Sequence, residues 1–185
     1  LTAIAEEHLH QLRDLATVIK EEAIALEWTN THSKEKISTI VNLSDPHIAQ
    51  IYQRLDPQKC LALDVKSTYG FKLPLPGQHN EINAGLAIGT AKLLGLNDTE
   101  IQTGLDSFSP AFGRSDLRTA SDGTLYLCDY YNANPASVKA ALTLLKDLSL
   151  RPGSSCRIHI CLGDMLELGP NEESYHRQIT DSLRP

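Results

Sequence analysis

The sequence predicts an α/β fold, and three observations carry the prediction. Apolar, strand-like runs, "ISTIVNL" (37–43), "CLALDV" (60–65), "TLYLCD" (124–129) and "RIHICLGD" (157–164), alternate with segments of helical length. Strands and helices alternating at this spacing build βαβ units and a largely parallel sheet. The 185 residues are 41% hydrophobic and 22% charged, which suits a chain able to bury a core, and no repeat or low-complexity tract interrupts them.

Each element follows from local signals. Residues 6–28 read as one helix, because Leu9, Leu12, Leu15 and Ile19 recur at helical spacing. After the first strand, "SDPHIAQIYQRL" (44–55) reads as a helix capped by Ser44 or Asp45, with Pro46 in its first turn. The second strand leads to "YGFKLPLPGQHN" (69–80), a Pro/Gly-marked loop with a short extended piece, and then to the helix "NEINAGLAIGTAKLLG" (80–95). Gly95 is its expected C-terminal cap. "NDTEIQTGLDSF" (97–108) opens with Asn97 and Glu100 at capping-box spacing. A break at "SPAFGRSD" (109–116) divides residues 1–110 from 111–185. Beyond it come a strand at 124–129, a helix at 135–148, a strand at 157–164 and a helix at 172–183.

Composition excludes some functions. The net charge of −6 opposes nucleic-acid binding, which usually needs a basic face. No run of about 18 apolar residues exists, so no membrane insertion is expected. The four cysteines, Cys60, Cys128, Cys156 and Cys161, form no Cys-x-x-Cys pair, and three of them sit in apolar, strand-like runs, which predicts buried thiols in a reducing cytoplasm. The chain opens on Leu1 without a signal-peptide pattern, which suggests part of a longer protein.

The chemistry gathers where strands end. In open α/β sheets, ligands collect at the carboxyl ends of strands and the N-termini of the helices that follow. Asp129 ends one strand, and the next helix begins at Asn134-Pro135, with Val138, Ala141, Leu142 and Leu145 as the stripe expected to pin it on the sheet. Unpaired N–H groups at a helix start favour an anion. Asp164 and Glu167, in "LGDMLELG", follow the next strand. Acids beside such a helix start suit phosphate with a metal, or an amine; they are equally ordinary caps. In "LPGQHNEINA", Gly77 lets the backbone turn, and His79 and Asn80 offer a ring and an amide that suit a purine; the plainer reading makes Asn80 a helix cap. His8 and Lys20 stand 12 residues apart, roughly 18 Å along a continuous helix, and would meet only if the segment broke after His8.

In this order, "LPLPGQHNEINAGLAI…GR…DYYNANPASVKAAL…LGDMLELG…H" resembles the Mur ligase family, most strongly from Leu73 to His176. "YNANP" followed by "GDMLELG" is similar to the branch that joins D-Ala-D-Ala to UDP-N-acetylmuramoyl-tripeptide, and weighs against folylpolyglutamate or cyanophycin-type synthetases. The resemblance implies the second half of a parallel-sheet, ATPase-type central domain, followed by the first half of a Rossmann-like C-terminal domain. It implies ATP and Mg2+, an acyl phosphate, and a monomeric cytoplasmic enzyme of peptidoglycan precursor synthesis.

The implied roles fall on particular residues. His79, Asn80 and Asn83 match an adenine-contacting motif, and Arg114 matches an arginine that reaches the ATP phosphates. Asp129 matches an acid that meets the nucleotide on domain closure. Tyr131, Asn132 and Asn134, with Asp164 and Glu167, match loops on the amino-acid side. His8 resembles the magnesium-binding histidine and Lys20 a catalytic lysine carbamylated in many members, while "VNLSDP", with Asn42 and Asp45, resembles "NxDDP". The departures matter too. No Gly-Lys-Ser/Thr triplet, the family's phosphate loop, occurs in the sequence. Cys128 and Tyr130 replace an acid and a small hydroxyl usual beside Asp129. The expectation is a portion of a ligase, inactive by itself; the alternative is a non-catalytic remnant or binding module.

Overall fold

The computed structural model describes residues 1–63, 69–150 and 157–183. Asp64 and Val65 of the second predicted strand, and Cys156, lie outside the described residues. The chain divides into two compact units: Leu1–Ala5 with Asp14–Phe108, and Glu6–Arg13 with Ser109–Pro185.

The single helix expected over 6–28 is in fact two, α1 (Leu9–Leu12) and α2 (Leu15–His32). Arg13 ends α1 at a positive φ of 70° while its N–H still reaches the Leu9 carbonyl. Asp14 then starts α2 afresh, its Oδ1 accepting from both the Thr17 N–H and hydroxyl at 2.8 Å. Apolar periodicity ran through this break because a cap restarts a helix without disturbing the spacing of leucines.

In the first unit, β1 (Thr39–Asn42) pairs in parallel with β2 (Cys60–Leu63), with α3 (Pro46–Tyr52) and a 3₁₀ turn at Pro57–Lys59 between them. Asp45 caps α3 through the His47 and Ile48 N–H groups. Val41, Ile48 and Ile51 are fully buried. Asn30 stitches the end of α2 to the 3₁₀ turn: its Oδ1 accepts from Asp56 N at 2.7 Å, and its Nδ2 donates to the Asp56 carbonyl at 3.3 Å. Such pairing is what lets a polar side chain be buried. Helix α4 (Gln78–Leu93) lies against β2 at Gly89, where a Cβ would come within 2.6 Å of Leu63 Cδ1. Gly95, at φ 87°, ends α4 with N–H bonds from Gly95 to Lys92 and from Leu96 to Ala91, the Schellman pattern. Helix α5 (Asp98–Asp106) follows with the complete Asn97–Glu100 capping box.

In the second unit, β3 (Asp116–Thr119) and β4 (Leu125–Cys128) form an antiparallel hairpin, turned at Gly123 with φ 84°. Helices α6 (Pro135–Ser149) and α7 (Glu172–Ser182) pack on each other. The strand expected at 157–164 forms no ladder, and Ile158, Ile160 and Leu162 stay exposed. The stripe of α6 also differs from expectation. Val138 and Leu142 pack on Met165, Leu168 and Ile179, in the turn before α7 and on α7 itself, and Leu144 is the most buried leucine of the helix. Of the thiols, Cys60 is buried, Cys128 half-buried and Cys161 exposed, the last because its run lacks a ladder. The α/β class stands, with its parallel ladder in the first unit.

Candidate functional site

The second unit joins two loops by their backbones. Tyr130 and Tyr131 both donate N–H bonds to the Gly113 carbonyl, at 3.0 and 3.1 Å. Asp129, the residue after β4, accepts the Ser115 N–H on its Oδ1 at 3.2 Å. Ser115 is buried and left-handed, at φ 47°. The stitch carries Arg114 over the Tyr131 ring, 4.3 Å from guanidinium carbon to ring centroid, a cation–π stack that leaves the planar fork oriented. Phe112 meets Tyr130 edge-on at 5.3 Å. A cation and a carboxylate are thereby fixed on adjoining loops.

Gly113 makes this possible. Its φ is 67°, and a Cβ there would lie 3.0 Å from the Tyr130 ring and 3.1 Å from Tyr131 N. Gly113→Ala should therefore lower stability by at least about 1–2 kcal/mol, the cost of a left-handed non-glycine residue. Denaturant titration checks this; an unchanged midpoint would show that the loop relaxes freely.

Asn134 caps α6, accepting Ser137 N–H while Ser137 accepts Asn134 N–H. Its Nδ2 donates to Glu7 at 3.3 Å, so one side chain serves as both a helix cap and a tie to the segment before α1. Tyr131 and Asn132 beside it are exposed. Glu167, at φ 63°, accepts from His8 Nδ1 on Oε2 at 2.7 Å, and its carbonyl accepts His10 N–H at 3.2 Å. His8 is itself left-handed, at φ 55°. Both side chains are more than half exposed, so His8→Ala should change stability by under about 1 kcal/mol in a melting experiment. Asp164 is exposed at the other end of the same turn. Burial pushes the Tyr175 phenol above its ordinary range, and the Glu6 charge adds to that.

In the first unit, His79, Asn80 and Asn83 lie in the first turns of α4, at spacings that put them on one face. Gly77, at φ 105°, takes the N-cap position, so Asn80 is not the cap. Asn80 Nδ2 instead donates to the Pro76 carbonyl at 2.8 Å. Lys20 is exposed on α2. Asn42 and Asp45 are structural: Asn42 holds Thr2 and Ser44, and Asp45 holds Ile4 besides capping α3. His8 and Lys20 belong to different units. Among the described residues, no three His, Cys, Asp or Glu side chains gather as a metal site. His8 Nδ1 is held by Glu167 Oε2.

Sequence reasoning singled out neither Gly113, Ser115 nor Glu7 as working residues. Only "FGRS" offered a signal, a glycine ahead of an arginine at a loop.

The Mur ligase, glutamate ligase domain family matches residues 113–185. A UDP-N-acetylmuramoyl-tripeptide–D-alanyl-D-alanine ligase of Treponema pallidum (strain Nichols) is 41% identical over 108 residues, 58% of this chain and 22% of that protein. The enzyme of that name from Bacillus subtilis (strain 168) is 34% identical over 115 residues, 62% of this chain and 24% of its own. Among solved structures, MurF from Acinetobacter baumannii is similar with a TM-score of 0.77 at 22% identity, over 98% of this chain and 43% of that one. MurF ligase from Thermotoga maritima in complex with ADP is similar with a TM-score of 0.70 at 17% identity, over 98% of this chain and 46% of its own. The matched stretch thus spans under a quarter of those curated relatives and under half of those solved chains.

Proposed function

We propose that this chain, which belongs to the Mur ligase family, is a portion of an ATP-dependent ligase that adds D-Ala-D-Ala to UDP-N-acetylmuramoyl-tripeptide in the cytoplasm. Residues 1–110 are proposed as part of its central domain and 111–185 as part of its C-terminal domain. The observation that carries the reading is the stitched loop pair, which fixes Arg114 and Asp129 together inside the family-matched stretch.

ATP supplies the phosphoryl group that converts the tripeptide carboxylate to an acyl phosphate. The chain's own residues then hold and orient. Arg114, held over Tyr131, offers its planar fork to phosphate oxygens and offsets the charge that builds during transfer. Asp129 is tied to the Ser115 N–H, so the loop that carries Arg114 keeps its place. Tyr131, Asn132 and Asn134, with Asp164 and Glu167, frame the neutral amine that attacks the activated carbonyl and releases phosphate. In the first unit, His79, Asn80 and Asn83 are proposed to meet the adenine, and Lys20 to serve as the catalytic lysine. His8, whose Nδ1 is held by Glu167, is proposed as the residue that would hold magnesium beside the ATP phosphates, and no step here depends on it.

The test is a ligation assay on the protein that carries this chain. ADP release should require both the UDP-tripeptide and D-Ala-D-Ala, and mass spectrometry should find the UDP-pentapeptide. ADP release that ignores the dipeptide, with no pentapeptide formed, would refute the reading. The 185 residues alone, which hold no Gly-Lys-Ser/Thr, should give no turnover.

A further inference from the structure

We infer that His176 is a positioning residue for the turn Asp164–Leu168, an inference that rests on the ligase reading of that turn. His176 Nδ1 lies 2.9 Å from the Glu172 carbonyl oxygen, one helical turn back on α7. A carbonyl only accepts, so Nδ1 carries the proton. Nε2 lies 3.0 Å from Met165 N, and an amide N–H only donates, so Nε2 is the acceptor. The two contacts fix one neutral tautomer of the ring. One end of the imidazole is tied to its own helix, and the other holds a backbone 11 residues away.

What it holds is the frame of two acids. Met165 and Leu168 are buried plugs, packed with Ile179, while Asp164 and Glu167 beside them are exposed. The Met165 N–H belongs to the peptide that follows Asp164, so fixing it fixes how the chain leaves Asp164. Glu167 sits in a left-handed conformation that a non-glycine residue keeps only when its surroundings over-determine it. The restraints are the His10 N–H on its carbonyl, His8 on its carboxylate, and the His176 bond at the start of the turn. Only the last comes from α7. A rigid ring whose two nitrogens have opposite roles suits this better than a rotatable hydroxyl. His176 touches no reacting atom and acts through the Met165 backbone on the side where the dipeptide is proposed to bind.

NMR on the uniformly 15N-labelled chain reads both the ring nitrogens and the Met165 amide directly. The expected result is an Nδ1–H tautomer for His176 and a slowly exchanging Met165 amide. His176→Leu should speed that exchange about tenfold, the worth of one lost hydrogen bond, and move the His8 signal toward its position in Glu167→Gln. His176→Gln keeps a donor and an acceptor and should restore much of both. An Nε2–H tautomer in the wild-type chain, or unchanged exchange and an unchanged His8 signal in His176→Leu, would overturn the inference. If the leucine variant does not fold, the wild-type tautomer and the glutamine variant still decide it. In the ligation assay, His176→Leu should raise KM for D-Ala-D-Ala about tenfold with a smaller change in kcat, and His176→Gln should recover it. A loosened turn with an unchanged dipeptide KM would overturn the positioning role. Absence of any ligation would sink the ligase reading instead, and the NMR result would stand apart from it.

Discussion

Leu168→Ala is expected to destabilise the second unit by about 2–5 kcal/mol, the range for truncating a buried leucine. Leu168 has 0% exposure and packs with Met165, Ile179, Val138 and Leu142, so its removal leaves a cavity where the turn, α6 and α7 meet. Every one of those partners belongs to the second unit. The sole tryptophan, Trp28, belongs to the first, stacked on His32 at 4.8 Å. Urea titration should therefore separate two signals. The midpoint read by Trp28 fluorescence should hold, while that read from the Ile179 amide should fall steeply. Two units need not unfold as one transition, so each probe is fitted separately. Leu168→Met, close in volume, should cost less than about 1.5 kcal/mol. A loss below about 1 kcal/mol for the alanine variant would mean that the turn repacks, and that Met165 alone anchors it.

Asp129→Ala and Asn134→Ala should each cut ligation about 100-fold in the protein that carries this chain, the scale of a misplaced reacting group. The two act differently. Without the Asp129 carboxylate, the buried Ser115 N–H loses this acceptor, and the loop that bears Arg114 is left to the Gly113 bonds to Tyr130 and Tyr131. Its effect should be mainly on kcat. Without Asn134, α6 loses its cap, worth about 1 kcal/mol, and Glu7 loses a donor. Its effect should include a stability loss and a raised KM for the dipeptide. Near-normal turnover in both variants would remove the second unit from the reaction.

How much of this was legible depended on how far apart the cooperating residues stand. Caps were legible, because a cap is a local event. Asn97 with Glu100, Asp45 with Pro46, and Gly95 after its helix all do what their spacing announced. "YNANP" also kept its promise as a helix start, since Asn134 and Ser137 are only three residues apart. The break at Arg13 was harder. An arginine with positive φ leaves no mark on apolar periodicity, though Asp14 ahead of Thr17 was a cap signal that went unused. Strand β3 was missed because "DLRT" has no apolar alternation and is held by its partner β4. The run at 157–164 had the alternation and lacks a ladder, a reminder that strands are made by neighbours. Of the site, residue types and their loops could be read. The pairing of His8 with Glu167, 159 positions apart, could not.

That separation bears on how the chain is made. The partners of the segment Glu6–Arg13 leave the ribosome far later than the segment does: Asn134 follows Glu7 by 127 positions and Glu167 follows His8 by 159. At about 5–20 residues per second, His8 waits roughly 8–30 s for Glu167 to be synthesised. During that interval the residues on either side of the segment, Leu1–Ala5 and Asp14–Phe108, can already be folding as one unit, with the segment held out as a loop between them. A ribosome paused before residue 134 would thus display Glu7 without Asn134 and His8 without Glu167, and a protease added at that stage should cut there first.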